Sequence, residues 1–154
     1  IFQNEGEKHY HLLSITEKEE GPQVALTTAN TKISTLKNAT ALSLWTLERC
    51  THHNMLNYCT SSITQLKKAT LSMKEREYFL WLHFKYLQKS GDRSQAYKKI
   101  LGLSKRYPKN MMYQRSLLNT EIELNLLSKA KQTFLSIKQR LSNEAQLEYQ
   151  KRLR

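Results

Sequence analysis

Apolar side chains recur at helical spacing along most of the chain. From Glu77, Leu80, Phe84 and Leu87 fall on one face with Phe79, Leu82 and Tyr86 on its flanks, which predicts an amphipathic helix ending near Ser90. Gly91 can take the left-handed backbone that stops it, and Asp92 or Ser94 can then cap the free amides of the next helix. That second helix carries Ala96, Ile100 and Leu103 on one face and stops before Pro108. Residues 77–110 therefore read as a helical hairpin of 34 residues. Upstream, Leu26, Ala29, Ile33 and Leu36 mark a helical face within residues 23–41, and KHYHLLSI is its candidate partner across Gly21 and Pro22. Residues 1–7 and the stretch TEKEEGP read as loop.

A shift of 34 residues tests whether the hairpin repeats. Ala96 maps to Ala130, Ile100 to Phe134, Leu103 to Ile137 and Phe84 to Leu118, while Leu80 meets Gln114. Gly91 maps to Asn125, the next-best residue for a left-handed position. Pro108 maps to Ser142. In the other direction Leu103 maps to Ala69, Ile100 to Leu66, Ala96 to Ser62 and Phe84 to Cys50, so small and large positions alternate in the same order.

On Gly91, Ala96, Ile100 and Pro108, and next on Ala130 and Phe134, the chain resembles the tetratricopeptide repeat family. The alanines have a physical reason, since a larger side chain at a tight helix crossing overpacks it at a cost of about 1–3 kcal/mol. The resemblance implies an all-α solenoid of three to four stacked antiparallel hairpins. Residues 1–42 would form an N-terminal loop with a degenerate repeat or cap, 43–76, 77–110 and 111–144 three repeats, and 145–154 the start of a C-terminal helix. It also implies that the first helix of each pair lines a concave groove. Carried over by position, the partner-binding residues would be Tyr78, Trp81, Lys85, Gln88 and Lys89, then Met112, Arg115, Asn119, Ile122 and Glu123. Trp81 serves equally as groove or as core. Arg115 and Asn119 are similar to part of the carboxylate clamp of chaperone-binding members, whose remaining positions do not match here.

Charge sharpens the picture. The formal net charge is +12, and residues 64–109 hold twelve Lys/Arg against three Asp/Glu. Such a stretch attracts nucleic acid, anionic membrane or acidic protein segments, or simply forms a solvated surface. The reading carried forward is a non-enzymatic scaffold that binds an extended, acidic protein segment in a basic, aromatic groove. Its first rival is single-stranded nucleic acid on residues 64–109, with Tyr78, Phe79, Trp81, Tyr86, Tyr97 and Tyr107 interleaved among the cations. Another reading makes the chain a module of a larger protein, as in the helper domain of a bacterial envelope protease, a secretion chaperone or an assembly factor. A start at Ile1 and a stop at KRLR suit a trimmed chain. No apolar run is long enough to span a membrane, and cytoplasmic and periplasmic locations both stay open.

Catalytic and metal chemistry are weakly represented. No HExxH, phosphate-cradling glycine loop or nucleophile elbow is present, so no enzyme, cofactor or metal is expected. His9, His11 and His83 have no carboxylate or nucleophile at a readable spacing, and His83 reads as a surface or satisfied core residue. CTHHNMLNYC, residues 50–59, holds two cysteines and two histidines, but on one helix these do not converge as tetrahedral zinc requires. In a straight helix Cys50 and Cys59 would sit roughly 13 Å apart, beyond bridging distance. A turn between them would bring them closer. They are read as free, half-buried thiols. Asn38-Ala39-Thr40 fits a glycosylation acceptor, a tripeptide that also arises by chance.

Overall fold

The computed structural model describes the backbone from Glu5 to Arg154 and the side chains from His9 onward. Among these residues all regular structure is helical. The order is α1 (Glu5–Glu20), α2 (Pro22–Ile33), α3 (Thr40–His52), α4 (Thr60–Lys68), α5 (Met73–Ser90), α6 (Arg93–Arg106), α7 (Met111–Glu123), α8 (Leu127–Ile137) and α9 (Asn143–Arg152), with short 3-10 turns at Leu56–Tyr58 and Lys138–Arg140. No strand occurs among the described residues. The chain divides into two compact units, one through Gly91 and the other residues 92–154.

Local chemistry sets the helix ends. Ser72 and Glu75 form a reciprocal capping box at the start of α5, and Gly91, at φ 85°, stops that helix in the left-handed region. Asp92 accepts the amide of Gln95 to start α6, which ends before Pro108. Asn110 caps α7 and Ser142 caps α9 in the same way. Asn125 adopts φ 57°, the left-handed position expected from its register with Gly91.

In the first unit α1 packs on α2, α2 on α3 and α3 on α4, and in addition α1 packs on α3, α3 on α5 and α2 on α4. Odd-numbered helices thus form one layer and even-numbered helices another. Inside each unit, side-chain bridges join residues about 30 positions apart. Within the first unit Trp45 Nε1 donates to Ser14 Oγ at 3.0 Å, Arg49 to Glu17, and Tyr78 to Glu48, over 31, 32 and 30 residues. Within the second, Tyr149 and Arg152 both donate to Asn119 Oδ1 at 3.0 Å, over 30 and 33 residues, and Arg140 donates to the Pro108 carbonyl over 32. These separations suit a repeat-like arrangement of helices. Burial agrees: Ser62, Ala96 and Ala130, each 34 residues apart, are at most 1% exposed, and Leu66, Ile100 and Phe134 are buried beside them.

Three expectations fail in the first unit. TEKEEGP is not a loop, because α1 continues through Glu20 and ends only at Gly21, φ 96°, with Pro22 opening α2. Glutamate and lysine are good helix formers, and Glu17 is held by Arg49 and His53 of α3. Of residues 1–7, also read as loop, 5–7 belong to α1 and 1–4 lie outside the described residues. The face assigned to 23–41 is helical only to Ile33. There Ser34 and Thr35 bond back to the carbonyls of Thr31 and Lys32, the local competition that ends helices. Leu36 nevertheless packs from the loop onto the cluster of Leu13, Ala29, Ile33, Ala39 and Leu42.

The cysteines are the third. Cys50 and Cys59 form a disulfide with Cα atoms 5.7 Å apart, and both are fully buried, so they are neither free nor half-buried. The straight-helix premise fails at Asn54, whose left-handed φ of 57° reverses the chain. The Met55 amide then bonds the Cys50 carbonyl at 2.8 Å, and a 3-10 turn delivers Cys59 to the start of α4.

In the second unit α6 packs on α7 and α7 on α8. Leu118, Ala130, Phe134, Ile137, Leu141, Ala145, Tyr149 and Leu153 form one core that α9 closes. Gln114, opposite the expected apolar position, is buried with its Nε2 donating to the Ser104 carbonyl at 2.9 Å. Glu121 is also buried, and its Oε2 has no hydrogen-bond partner. Burial pushes its carboxyl above the usual range, only partly offset by the Thr133 hydroxyl and Lys129. A raised native pKa means that, above the ordinary carboxylate pKa, the native state holds more proton than the unfolded one, so stability falls as pH rises. Glu121→Gln should therefore stabilise the protein at pH 7 by on the order of 1 kcal/mol and change little near pH 4, as read from urea midpoints at the two pH values.

Candidate functional site

On the layer made by α1, α3 and α5, a hollow of about 320 Å³ opens between α3 and α5. Glu48, Thr51 and His52 line it from α3, and Tyr78, Trp81, Leu82, Lys85 and Lys89 from α5. Four of the five groove residues expected on α5 thus share one concavity, while Gln88 is exposed on the same helix outside its lining. Positions 78, 81, 85 and 89 recur at three to four residues, the spacing of one helical face.

The side chains have distinct duties. Trp81 is half-buried, with its ring centroid 5.4 Å from that of Phe84 below and Lys85 Nζ 5.5 Å from it above, so it is both core edge and groove wall. The Tyr78 hydroxyl donates to Glu48, and burial together with this carboxylate raises its pKa well above the ordinary tyrosine value. It stays a neutral donor. Lys89 Nζ donates to the Thr51 carbonyl at 2.6 Å, so its charge sits on the C-terminal carbonyls of α3. Lys85 remains exposed at the rim.

A second hollow of about 510 Å³ lies between α1 and α3, lined by Ser14, Glu17, Lys18, Pro22, Trp45, Glu48, Arg49 and His53. Glu48 lines both hollows. Burial opposes ionisation of Glu17, but hydrogen bonds from Arg49 and His53 outweigh it and hold the carboxyl below its usual value. This cluster fastens α1 to α3.

The five groove residues expected on α7 lie in the second unit. Met112 and Arg115 are exposed, as is Glu123, whereas Ile122 packs against the core and Asn119 Oδ1 is taken by Tyr149 and Arg152. The Asn119 side-chain oxygen therefore fastens α9. Residues that sequence reasoning missed are Glu48, Thr51 and His52, together with Trp45 and Arg49. Counting 30 residues back from Tyr78 and Trp81 lands on Glu48 and Thr51, whereas the 34-residue register does not; the same offset of 30 joins Tyr149 to Asn119, so residues that touch between these helices are not those in equivalent register. His83, expected on the surface or in the core, is buried and stacked on Phe79 at 5.5 Å between ring centroids. Cys50 and Cys59 are joined to each other and are not metal ligands. Among the described residues no cluster of three or more His, Cys, Asp or Glu side chains converges for a metal. No helix among them is long and apolar enough to cross a membrane.

Comparison of the chain with protein-family models, curated proteins and solved structures finds no match.

Proposed function

We propose that the chain is a non-enzymatic interaction module, an α-solenoid of the tetratricopeptide-repeat kind, whose first unit receives an extended acidic segment of a partner protein across α3 and α5. One observation carries the reading: Tyr78, Trp81, Lys85 and Lys89, chosen by repeat register, line one hollow. Trp81 offers a large, partly exposed apolar surface at low entropic cost, the kind of anchor that dominates interfaces. Lys85 beside it supplies a charge-assisted bond to a carboxylate. Because Lys89 is spent on the end of α3, the acidic preference rests chiefly on Lys85.

The test uses the whole chain against an array of short acidic, neutral and basic peptides. With Trp45→Phe as background, Trp81 becomes the only indole and its fluorescence reports binding. Acidic peptides carrying an apolar residue should bind, and Trp81→Ala, followed by anisotropy of a labelled peptide, should weaken them about tenfold. Lys85→Glu should reverse the charge preference. Equal binding of basic and acidic peptides, or affinities untouched by both substitutions, would sink the reading.

A further inference from the structure

The second unit has a surface that the groove leaves unexplained. Residues 92–154 hold fourteen Lys/Arg against five Asp/Glu, and the division is uneven by helix. α6 and residues 127–140 together carry nine cations and no carboxylate. The acidic side chains are elsewhere: Asp92 caps α6, Glu121 is buried, Glu123 is on α7, and Glu144 and Glu148 are on α9. Two contacts link the α6 and α8 segments: Lys129 lies over the Tyr97 ring at 5.5 Å near their starts, and Arg140, just after α8, donates to the carbonyl of Pro108, just after α6, at 3.3 Å. Lys98 and Lys105 on α6 and Lys131 on α8 are exposed, and so is Gly102, which has open space around it.

One apolar side chain stands among these cations. Leu135, one turn after Lys131 and three residues before Lys138, is 68% exposed, second only to Met73 among the large hydrophobic residues described. A phosphate backbone in water has no use for a protruding leucine, and stacking on bases needs open aromatic faces. Tyr97 and Tyr107 are half-buried and engaged, by Lys129 and by Tyr113. An anionic bilayer surface uses both features, since phosphates meet the cations and the leucine enters below the headgroups. We infer that the α6–α8 face docks reversibly on an anionic lipid surface, with Lys98, Lys105 and Lys131 as electrostatic contacts and Leu135 as the inserted residue. This does not depend on the groove of the first unit.

Co-sedimentation of the whole chain with vesicles of phosphatidylcholine alone, and of equal parts phosphatidylcholine and phosphatidylglycerol, tests it. The protein should pellet with the anionic vesicles only, and less as salt rises. The triple variant K98E/K105E/K131E should lose pelleting, and Leu135→Ser should weaken it about tenfold, both with unchanged far-ultraviolet circular dichroism, while Trp81→Ala leaves it intact. Failure to pellet with anionic vesicles overturns the inference. So does a Leu135→Ser variant that binds as wild type, or tighter binding to a single-stranded oligonucleotide than to anionic vesicles at equal phosphate concentration, which would assign the face to nucleic acid.

Discussion

Replacing Cys50 and Cys59 together by alanine should lower the stability of the first unit by about 2–3 kcal/mol, from the entropy of a short closed loop. The bond spans nine residues of sequence and ties the end of α3 to the start of α4. Without it, Asn54 and the 3-10 turn that follows are held mainly by short-range backbone bonds, among them Met55 to Cys50 and Tyr58 to Met55. The same loop sets the position of Thr51 and His52 in the hollow, so peptide affinity should fall alongside stability. Unfolding by urea with and without reductant measures the first effect, and no thiol should react with a maleimide in denaturant until reductant is added. Two reactive thiols in unreduced, denatured protein made in an oxidising compartment would refute the bond. Such bonds persist in oxidising compartments, so protein made in a reducing cytoplasm should show the reduced protein's lower urea midpoint.

Much of the helical framework is legible in the sequence because its determinants are local. Gly91, Asp92 and Pro108 punctuate α5 and α6 through backbone conformation and capping, and Asn125 does the same between α7 and α8. The 34-residue spacing of Ser62, Ala96 and Ala130 survives as burial because each must leave room for a neighbouring helix. What escapes is set by partners far along the chain. Glu17 looks like part of a charged loop until Arg49 and His53, 32 and 36 residues on, are seen to hold it. The left-handed turn at Asn54 has no glycine to announce it, and missing it hides the disulfide. Lys89 reads as a ligand contact by register, yet the nearby α3 carbonyls claim it.

Tyr149→Ala should be among the most damaging single substitutions, costing about 3–5 kcal/mol as buried aromatic truncations do. The residue lies in the ten-residue helix α9, whose interior positions Ala145 and Tyr149 are the ones that reach the core. Tyr149 is 2% exposed and belongs to the cluster that includes Leu118, Ala130 and Ile137; its ring centroid lies 6.2 Å from that of Phe134, and its hydroxyl donates to Asn119 on α7. Truncation removes packing and hydrogen bond together, so the controls must separate them. Tyr149→Phe keeps the ring and should cost on the order of 1 kcal/mol, whereas Asn119→Ala, which also releases Arg152, should cost at least as much as Tyr149→Phe. In a double-mutant cycle the two substitutions should be less than additive, because both remove the same bond. Strict additivity would show that the Tyr149 hydroxyl and Asn119 do not interact.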